Sequence, residues 1–212
     1  MNITITGIHT GIGKTITSAV IAEALGADYW KPIQAGIEET DTAQLARLLT
    51  NGAQRVHKEA VLLTQPLSPH AAADIDKVTV DHTQFTWPQT TRPLIVETAG
   101  GVLSPVSARA TVADMVAHFG TPTILVVQHY LGSISHTLLC IEVLKSRGIP
   151  LMGLVINGHP NVASTSFITQ YTQVPVLAEI PHFAKLDNST VATFAAQIRT
   201  TLTKNIADAQ QH

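Results

Sequence analysis

Short apolar segments that fit β-strands alternate with segments of helical periodicity along most of the chain. The strand-like segments cover residues 3–6, 28–31, 94–96, 123–127, 151–156 and 176–180. Between them, helices are expected at about 14–25, 41–50, 109–118, 134–147 and 189–203. Continuous apolar strands are typical of burial on both faces, and helical crossovers make neighbouring strands parallel. The pattern predicts a three-layer α/β fold, with a mainly parallel central sheet flanked by helices, as a single domain over residues 1–212.

The composition of the 212-residue chain excludes several classes of protein. Charged residues make up 13% of it, where about 25% is usual. The 13 Lys and Arg residues against 15 Asp and Glu leave a net charge of −2. Such a chain lacks the basic excess of nucleic-acid-binding proteins and the high net charge of disordered ones. A hydrophobic content of 45% with so few charges also suggests that a partner subunit covers part of the surface.

Two further observations concern the cellular compartment. Cys140 is the only cysteine, so no disulfide can form within the chain. The first residues show no cationic start followed by an apolar segment, and no apolar run approaches the roughly 18 residues that a membrane span needs. We therefore expect a cytoplasmic protein that binds neither membranes nor nucleic acids.

A glycine-rich loop, Gly7–Thr15, follows the first predicted strand and leads into the first predicted helix. Such a loop offers backbone N–H groups and a helix N-terminus to phosphates, with Lys14 reaching the β- and γ-phosphates and the Thr15 hydroxyl binding Mg²⁺. The strict P-loop spacing requires glycine at position 8, where Ile8 stands, so this loop is one residue longer. A glycine turn that only caps a helix is the alternative interpretation. The position of the loop favours a P-loop NTPase fold that binds a nucleotide.

Three charged residues lie near the predicted ends of strands and helices. Glu97 ends an apolar strand and leads into a glycine turn, and Lys31 ends another strand before Pro32. Ligands of α/β proteins bind at this carboxyl edge of the sheet, where carboxylates can hold Mg²⁺. Asp41 begins the second predicted helix, and on position alone such an Asp is more often a helix cap than a metal ligand. A lone lysine at the position of Lys31 would likewise more often be solvated.

Taken in order, these segments resemble the dethiobiotin synthetase family. The resemblance extends from Thr6 to about Pro181. Each motif alone is weak, but the ordered set is specific. The motifs are GIHTGIGKT at 7–15, KPIQAG at 31–36, TD at 40–41, PLSPHAA at 66–72, VETAGG at 96–101, LGSISHTLL at 131–139, VIN at 155–157 and EIP at 179–181.

The resemblance implies an ATP-dependent cyclo-ligase of biotin synthesis that joins CO₂ and 7,8-diaminononanoate. One amine of the diamine takes up CO₂ as a carbamate, and the carbamate attacks the γ-phosphate of ATP. The second amine then closes the ring on the mixed anhydride and releases phosphate. Because carbamate and triphosphate are both anionic, cations are needed to bring them together. The resemblance also implies Mg²⁺ as the cofactor and a homodimer whose substrate site lies at the subunit interface.

The same resemblance implies a role for each matching residue. Lys14 and Lys31 would be catalytic, and Thr15, Asp41 and Glu97 would hold the metal. With Lys14 and these ligands, the ATP-binding residues would be Gly11, Ile12, Gly13, Ile16, Thr98, Ala99, Gly100, Asn157 and Pro181, the last two at the adenine. The diamine would contact Thr10, Lys31 and Ala35. Its carboxylate would bind across the dimer interface, at a helix start that contains Gly132, Ser133 and Ser135.

Four positions depart from the family pattern. Ala35 stands where a Ser or Thr usually contacts the diamine, and a missing hydrogen bond of this kind typically costs about 0.5–1.5 kcal/mol. Thr98 replaces a glycine, where a side chain can crowd the turn. Ser135 replaces an Asn, and Gly11 replaces a residue that is often acidic. The departures therefore concern the identity of the substrate more than the use of ATP.

Two other functions are compatible with a P-loop. A ParA/MinD-like nucleotide switch tends to begin its P-loop with K-G-G, which this chain lacks. An amide ligase of the cobyrinic acid type would need a glutaminase with a Cys nucleophile, whereas Cys140 lies in a predicted helix. The ordered motifs favour the carboxylating cyclo-ligase over both.

Overall fold

A computed structural model describes residues 1–209 of the chain as nine strands and seven helices. The strands are β1 (Asn2–Gly7), β2 (Asp28–Trp30), β3 (Ile33–Ala35), β4 (Val56–His57), β5 (Val61–Leu63), β6 (Leu94–Glu97), β7 (Thr123–Val127), β8 (Leu151–Asn157) and β9 (Val176–Ile180). The helices are α1 (Lys14–Leu25), α2 (Asp41–Leu48), α3 (Pro69–Asp76), α4 (Val112–Phe119), α5 (Ser133–Ser146), α6 (Val162–Thr172) and α7 (Asn188–Ala209). Short 3₁₀ turns cover Gly52–Gln54 and His82–Gln84.

Seven of the strands form one parallel sheet in the order β4-β2-β6-β1-β7-β8-β9. The remaining two, β3 and β5, pair with each other, also in parallel. Helices α1, α2 and α7 pack against one another, and α5 packs against α6 and β8. The predicted α/β fold with a parallel sheet between helices is confirmed. Because the strands are parallel, the loops that follow β1, β2, β6, β8 and β9 all begin at the same edge of the sheet.

The strands at the centre of this sheet are buried throughout. Every residue of β6 and β7 is buried, and so is every residue of β1 after Asn2. This burial explains why β6 and β7 are nearly continuous apolar runs in the sequence, whereas β1 alternates Ile with buried Thr. The sheet thus forms the core that fixes the positions of the loops at its carboxyl edge.

Several elements were absent from the sequence prediction. Strands β3 and β5 have three residues each, too few for a periodic pattern. Helix α6 buries only Ile168 and Thr172 and so shows little amphipathic periodicity. The predicted helix at 109–118 begins at Val112, because Thr111 and Asp114 form a capping box at that point.

Within residues 1–209, no helix is both long enough and apolar enough to cross a membrane. The predicted domain over 1–212 includes three C-terminal residues that lie outside the described part of the chain.

Arg55 ties the C-terminal end of α1 to the edge of the sheet. Its guanidinium donates to the carbonyl of Ala22 at 2.6 Å, to that of Ala27 at 2.7 and 3.1 Å, and to that of Thr50 at 3.1 Å. It also donates to the carboxylate of Glu23 at 2.6 Å. The side chain is buried, so these acceptors depend on the guanidinium rather than on water.

We predict that Arg55→Met lowers the free energy of unfolding by about 3–5 kcal/mol, because it removes the cation that neutralises the largely buried Glu23 carboxylate and the hydrogen bonds to three carbonyls. Denaturation by urea at neutral pH measures this change. The control is Arg47→Met, which breaks an ion pair with Glu39 in which both side chains are exposed. That variant should lose about 1 kcal/mol or less. Equal losses in the two variants would contradict the assignment.

Candidate nucleotide and metal site

The Gly7–Thr15 loop joins the central strand β1 to α1, as predicted. Gly11 and Gly13 have φ values of +78° and +84°, a region that favours glycine. A Cβ on Gly13 would also lie 2.0 Å from Nδ2 of Asn157, so no side chain fits there. Gly13 is the N-cap of α1, and no side chain caps this helix. The first N–H groups of α1 are therefore free to bind an anion at this loop.

Lys14 lies within the loop rather than in solvent. Its Nζ donates to the carbonyl of His9 at 3.1 Å, and the residue is only 6% exposed. Burial lowers the pKa of Lys14 to about 8, although the Glu97 carboxylate raises it. A bound phosphate would favour the charged form of the ammonium. The loop thus holds its lysine in position for a phosphate.

Four side chains from four segments meet at the carboxyl edge of the sheet. Lys31, directly after β2, contacts a carboxylate oxygen of Asp41 in α2, and its Nζ lies 3.4 Å from Oε1 of Glu97 at the end of β6. The Thr15 hydroxyl in α1 lies 2.5 Å from Oδ1 of Asp41 and 3.0 Å from Oε1 of Glu97. We call these four residues the charge cluster. The sequence predicted all four, and the fold brings them together.

The charges of Lys31 and Asp41 stabilise each other. Burial alone lowers the pKa of Lys31, but the carboxylates of Glu97 and Asp41 outweigh it and raise the pKa above its usual value. Burial alone raises the pKa of Asp41, but the Lys31 ammonium and the Thr15 hydroxyl hold it below its usual value. Both groups are therefore charged at neutral pH.

The oxygen atoms of the charge cluster fit a magnesium site. Mg²⁺ prefers hard oxygen ligands and is usually held by one or two carboxylates together with substrate phosphates. The Thr15 hydroxyl and one oxygen each of Asp41 and Glu97 converge next to the phosphate-binding loop. The donor set thus agrees with the ligands expected from the sequence.

The helix cap at α2 is Thr40, not Asp41. The Thr40 hydroxyl accepts a hydrogen bond from the N–H of Ala43 at 3.1 Å. Asp41 is the first residue of the helix, and its carboxylate turns toward Lys31 and Thr15. The interpretation of Asp41 as an ordinary helix cap is therefore wrong.

The charge cluster lies where two clefts adjoin. The first cleft, of about 300 Å³, is lined mainly by residues of the phosphate-binding loop. The second, of about 560 Å³, has a mostly apolar lining. The residues that line both clefts are Thr10, Lys31, Asp41 and Gly100. A group bound in the second cleft would therefore lie beside the same ammonium as a phosphate bound in the first.

Sequence reasoning assigned no role to several residues of the second cleft. These residues are Gln34, Pro66, Leu67, Ser68, Pro69 and Ser104. The PLSPHAA motif marked four of them as part of the resemblance but gave no chemistry. Gln34 is buried, donates to the carbonyls of Ala35 and Gly36, and accepts from the N–H of Asp41 at 3.3 Å. It therefore fixes the segment that leads from β3 to the charge cluster, an arrangement that only the fold reveals.

The glycine turn after β6 packs directly on the phosphate-binding loop. A Cβ on Gly101 would lie 2.9 Å from Cα of His9, so the two backbones approach closely. Thr98 is fully buried, and its hydroxyl lies 3.1 Å from that of Thr6. Its side chain therefore packs in the sheet and does not crowd the turn, contrary to the expectation from the sequence.

The two predicted adenine contacts lie at the same edge of the sheet. Asn157 is the last residue of β8, and Pro181 directly follows β9. Nδ2 of Asn157 donates to the carbonyl of Ile12 at 2.9 Å. This side chain therefore braces the phosphate-binding loop, and its contact with adenine stays a prediction. Pro181 is exposed.

The predicted carboxylate site lies at the start of α5. Gly132, with a φ of +99°, is the N-cap, and no side chain caps the helix. The Ser133 hydroxyl is buried and has no hydrogen-bond partner within residues 1–209. Gly132 and Ser135 line a separate cleft of about 790 Å³ that contains no residue of the charge cluster. Within one chain, the fold does not bring this helix start to Lys31.

The sequence of this chain is similar to those of a known family and of named enzymes. A family described as an AAA domain matches residues 1–190. The ATP-dependent dethiobiotin synthetase of Nitrobacter hamburgensis is 44% identical, over 89% of this chain and 90% of its own length. That of Christiangramia forsetii is 42% identical, over 92% of this chain and 94% of its own length.

Solved structures are similar in fold at much lower identity. A chain of the MinC:MinD cell division protein complex of Aquifex aeolicus aligns with a TM-score of 0.55 and 16% identity, over 97% of this chain and 95% of its own. A plasmid partition protein from Borrelia burgdorferi aligns with a TM-score of 0.53 and 14% identity, over 96% and 98%. At this identity the likeness concerns the fold alone. The identity to the synthetases, over nearly their whole length, shows that this chain belongs to the dethiobiotin synthetase family.

Proposed function

We propose that the protein is a cytoplasmic, ATP-dependent enzyme that joins CO₂ and 7,8-diaminononanoate to form dethiobiotin, ADP and phosphate. The observation that carries the proposal is the position of Lys31, whose side chain lines both the phosphate cleft and the apolar cleft beside it. The names of the relatives at 42–44% identity support the same reaction.

The two clefts suit the two substrates. The mostly apolar second cleft suits the hydrocarbon chain of the diamine, since apolar walls favour burial of methylene groups. The loop of the first cleft suits a triphosphate, because it offers the uncapped start of α1 and Lys14. ATP and the diamine would thus meet at the charge cluster.

The proposed reaction takes place in three steps: carbamate formation, phosphoryl transfer and ring closure. One amine adds to CO₂ and loses a proton, which gives a carbamate. A carbamate oxygen attacks the γ-phosphorus and ADP leaves. The second amine then attacks the carbamate carbon, loses a proton, closes the ring and releases phosphate. Lys31 would neutralise both the carbamate and the transferring phosphoryl group, and Lys14 would neutralise the phosphates.

Thr15, Asp41 and Glu97 would hold Mg²⁺ as the cofactor. When bound, the ion supplies positive charge to the phosphate oxygens of ATP. The three residues themselves place their oxygens beside the phosphate loop, and Asp41 and Glu97 also keep Lys31 charged. The remaining ATP-binding residues would act as the sequence predicts, with the glycines of the loop and turn at the phosphates.

A homodimer would complete the substrate site. The uncapped start of α5 and the unpartnered Ser133 hydroxyl provide donors for a carboxylate. Large apolar side chains near α5 and α6 are exposed in the single chain, among them Leu131, Leu139, Phe167 and Tyr171. We propose that a second subunit covers this face. The start of α5 of one subunit would then lie beside the diamine that is bound to the other subunit.

The reaction is tested with purified protein, ATP, Mg²⁺, bicarbonate and 7,8-diaminononanoate. Phosphate release should require the diamine, and dethiobiotin should accumulate in equal amount by mass spectrometry. ATP hydrolysis that proceeds equally without the diamine would contradict the proposal and would favour a nucleotide switch instead.

We predict that Lys31→Ala lowers kcat by at least about 100-fold, because a preorganised charge beside the transferring group is lost. Nucleotide binding should largely persist, since Lys14 and the helix start remain. Phosphate release and calorimetric binding of a non-hydrolysable ATP analogue measure the two effects. Lys204→Ala is the control, because this lysine is exposed and pairs with Asp208, also exposed, far along α7 from the charge cluster. Full turnover in Lys31→Ala would show that the role assigned to Lys31 is wrong.

We predict that Ala35→Ser lowers the KM for the diamine by about 2–10-fold, because a hydroxyl at this position can supply one hydrogen bond. The kcat should change little. Steady-state kinetics with varied diamine measures both constants, and Ala196→Ser on the exposed side of α7 is the matched control. An unchanged KM would mean that the cleft already satisfies the amine without this hydroxyl.

A further inference from the structure

Tyr29 is a buried tyrosine beside the charge cluster, and no role described above uses it. It lies in β2, is fully buried, and donates from its hydroxyl to Oε2 of Glu97 at 3.0 Å. Tyr29 and Lys31 are two positions apart, and side chains at this spacing along an extended strand lie on the same side of the sheet. Both therefore reach the one carboxylate of Glu97.

The two oxygen atoms of Glu97 have different partners. Oε1 lies 3.0 Å from the Thr15 hydroxyl and 3.4 Å from Nζ of Lys31. Oε2 accepts from Tyr29, which is its hydrogen-bond donor within residues 1–209. Glu97 is only 1% exposed, so bulk water does not replace this donor. The Tyr29 hydroxyl thus fixes the plane of the carboxylate and leaves Oε1 facing the phosphate-binding loop.

Packing alone does not account for the hydroxyl of Tyr29. A phenylalanine would fill the same space between the sheet and its helices. A buried phenol needs a hydrogen-bond partner, and here the partner is the carboxylate that we assign to the metal. Groups that orient a metal ligand from behind affect metal affinity although they do not touch the ion.

We propose that Tyr29 is a positioning residue, which orients Glu97 as a ligand for the divalent cation of the nucleotide complex. This inference rests on the ligand set given under the proposed function. Tyr29 lines neither the phosphate cleft nor the apolar cleft, and it acts through Glu97.

The test is Tyr29→Phe, which removes a single oxygen atom. Binding of a non-hydrolysable ATP analogue is followed by calorimetry at increasing Mg²⁺ concentrations, with no diamine present. The Mg²⁺ concentration that gives half of the full Mg²⁺-dependent increase in affinity for the analogue should rise by about 10–100-fold. Affinity for the nucleotide without Mg²⁺ should stay within about twofold of that of the parent protein. An unchanged Mg²⁺ requirement would overturn the proposal.

Thr4→Val is the matched control for the loss of a buried hydroxyl. Thr4 lies in β1, is buried, and its hydroxyl pairs with that of Thr121, not with the charge cluster. The control should leave the Mg²⁺ requirement unchanged. If it shifts the requirement as much as Tyr29→Phe does, the effect is a general loss of stability and the proposal fails.

A double-mutant cycle tests whether Tyr29 acts through Glu97. In a Glu97→Gln background, Tyr29→Phe should have no further effect on the Mg²⁺ requirement, because the oriented ligand is already lost. Additive effects of the two substitutions would overturn the proposal.

A second measurement avoids any substitution that could prevent folding. Protein labelled with 3-fluorotyrosine gives separate ¹⁹F signals for its tyrosines, which number three. The Tyr29 signal should shift when Mg²⁺ is added to the nucleotide complex, whereas that of exposed Tyr171 should not. An unmoved Tyr29 signal would contradict the proposal. Since the diamine is absent throughout, these results are independent of whether the diamine is the substrate.

Discussion

The ammonium of Lys31 is buried between the carboxylates of Asp41 and Glu97, and the geometry of the site depends on this contact. A buried lysine without a negative partner would give up its proton, because desolvation disfavours the charged form. The carboxylates of Asp41 and Glu97, without a cation between them, would repel each other because they carry like charges. The three groups therefore stabilise one another only while β2, α2 and β6 keep their relative positions. The fold keeps these positions because the end of β2, the start of α2 and the end of β6 all lie at one edge of the parallel sheet.

Close backbone contacts allow the phosphate-binding loop to share this edge. Gly101 lies against the backbone of His9, and Gly13 leaves room for the side chain of Asn157, so the turn after β6 and the end of β8 both contact the loop closely. The cluster can then extend from Thr15 in α1 to Glu97 in β6 within hydrogen-bond distances. Chemistry on a phosphate and on a second substrate can take place beside one ammonium as a result.

The sequence predicts the sheet, the phosphate loop with Thr15, and Glu97 at a strand end, because long apolar strands and local glycine patterns can be read from the chain itself. Lys31 and Asp41 are assigned to the site only through the family resemblance. On position alone Asp41 fits a helix cap, and only the fold shows that Thr40 caps α2 while the Asp41 carboxylate faces Lys31. Gln34 and Tyr29 are ordinary residues of short strands, and their contacts arise from pairing between distant segments. Helix α6 has few buried residues, so its sequence carries little periodic signal.

Two helices of the described chain, α1 and α5, begin at a glycine with positive φ and have no side-chain cap, whereas α2, α4 and α6 are capped by Thr40, Thr111 and Asn161. Their first N–H groups must be solvated until an anion arrives. Part of the stability of these helices is thus supplied by the ligand, and this part grows with the logarithm of the ligand concentration once that exceeds the dissociation constant. The cellular level of nucleotide therefore helps to determine how long the folded chain survives.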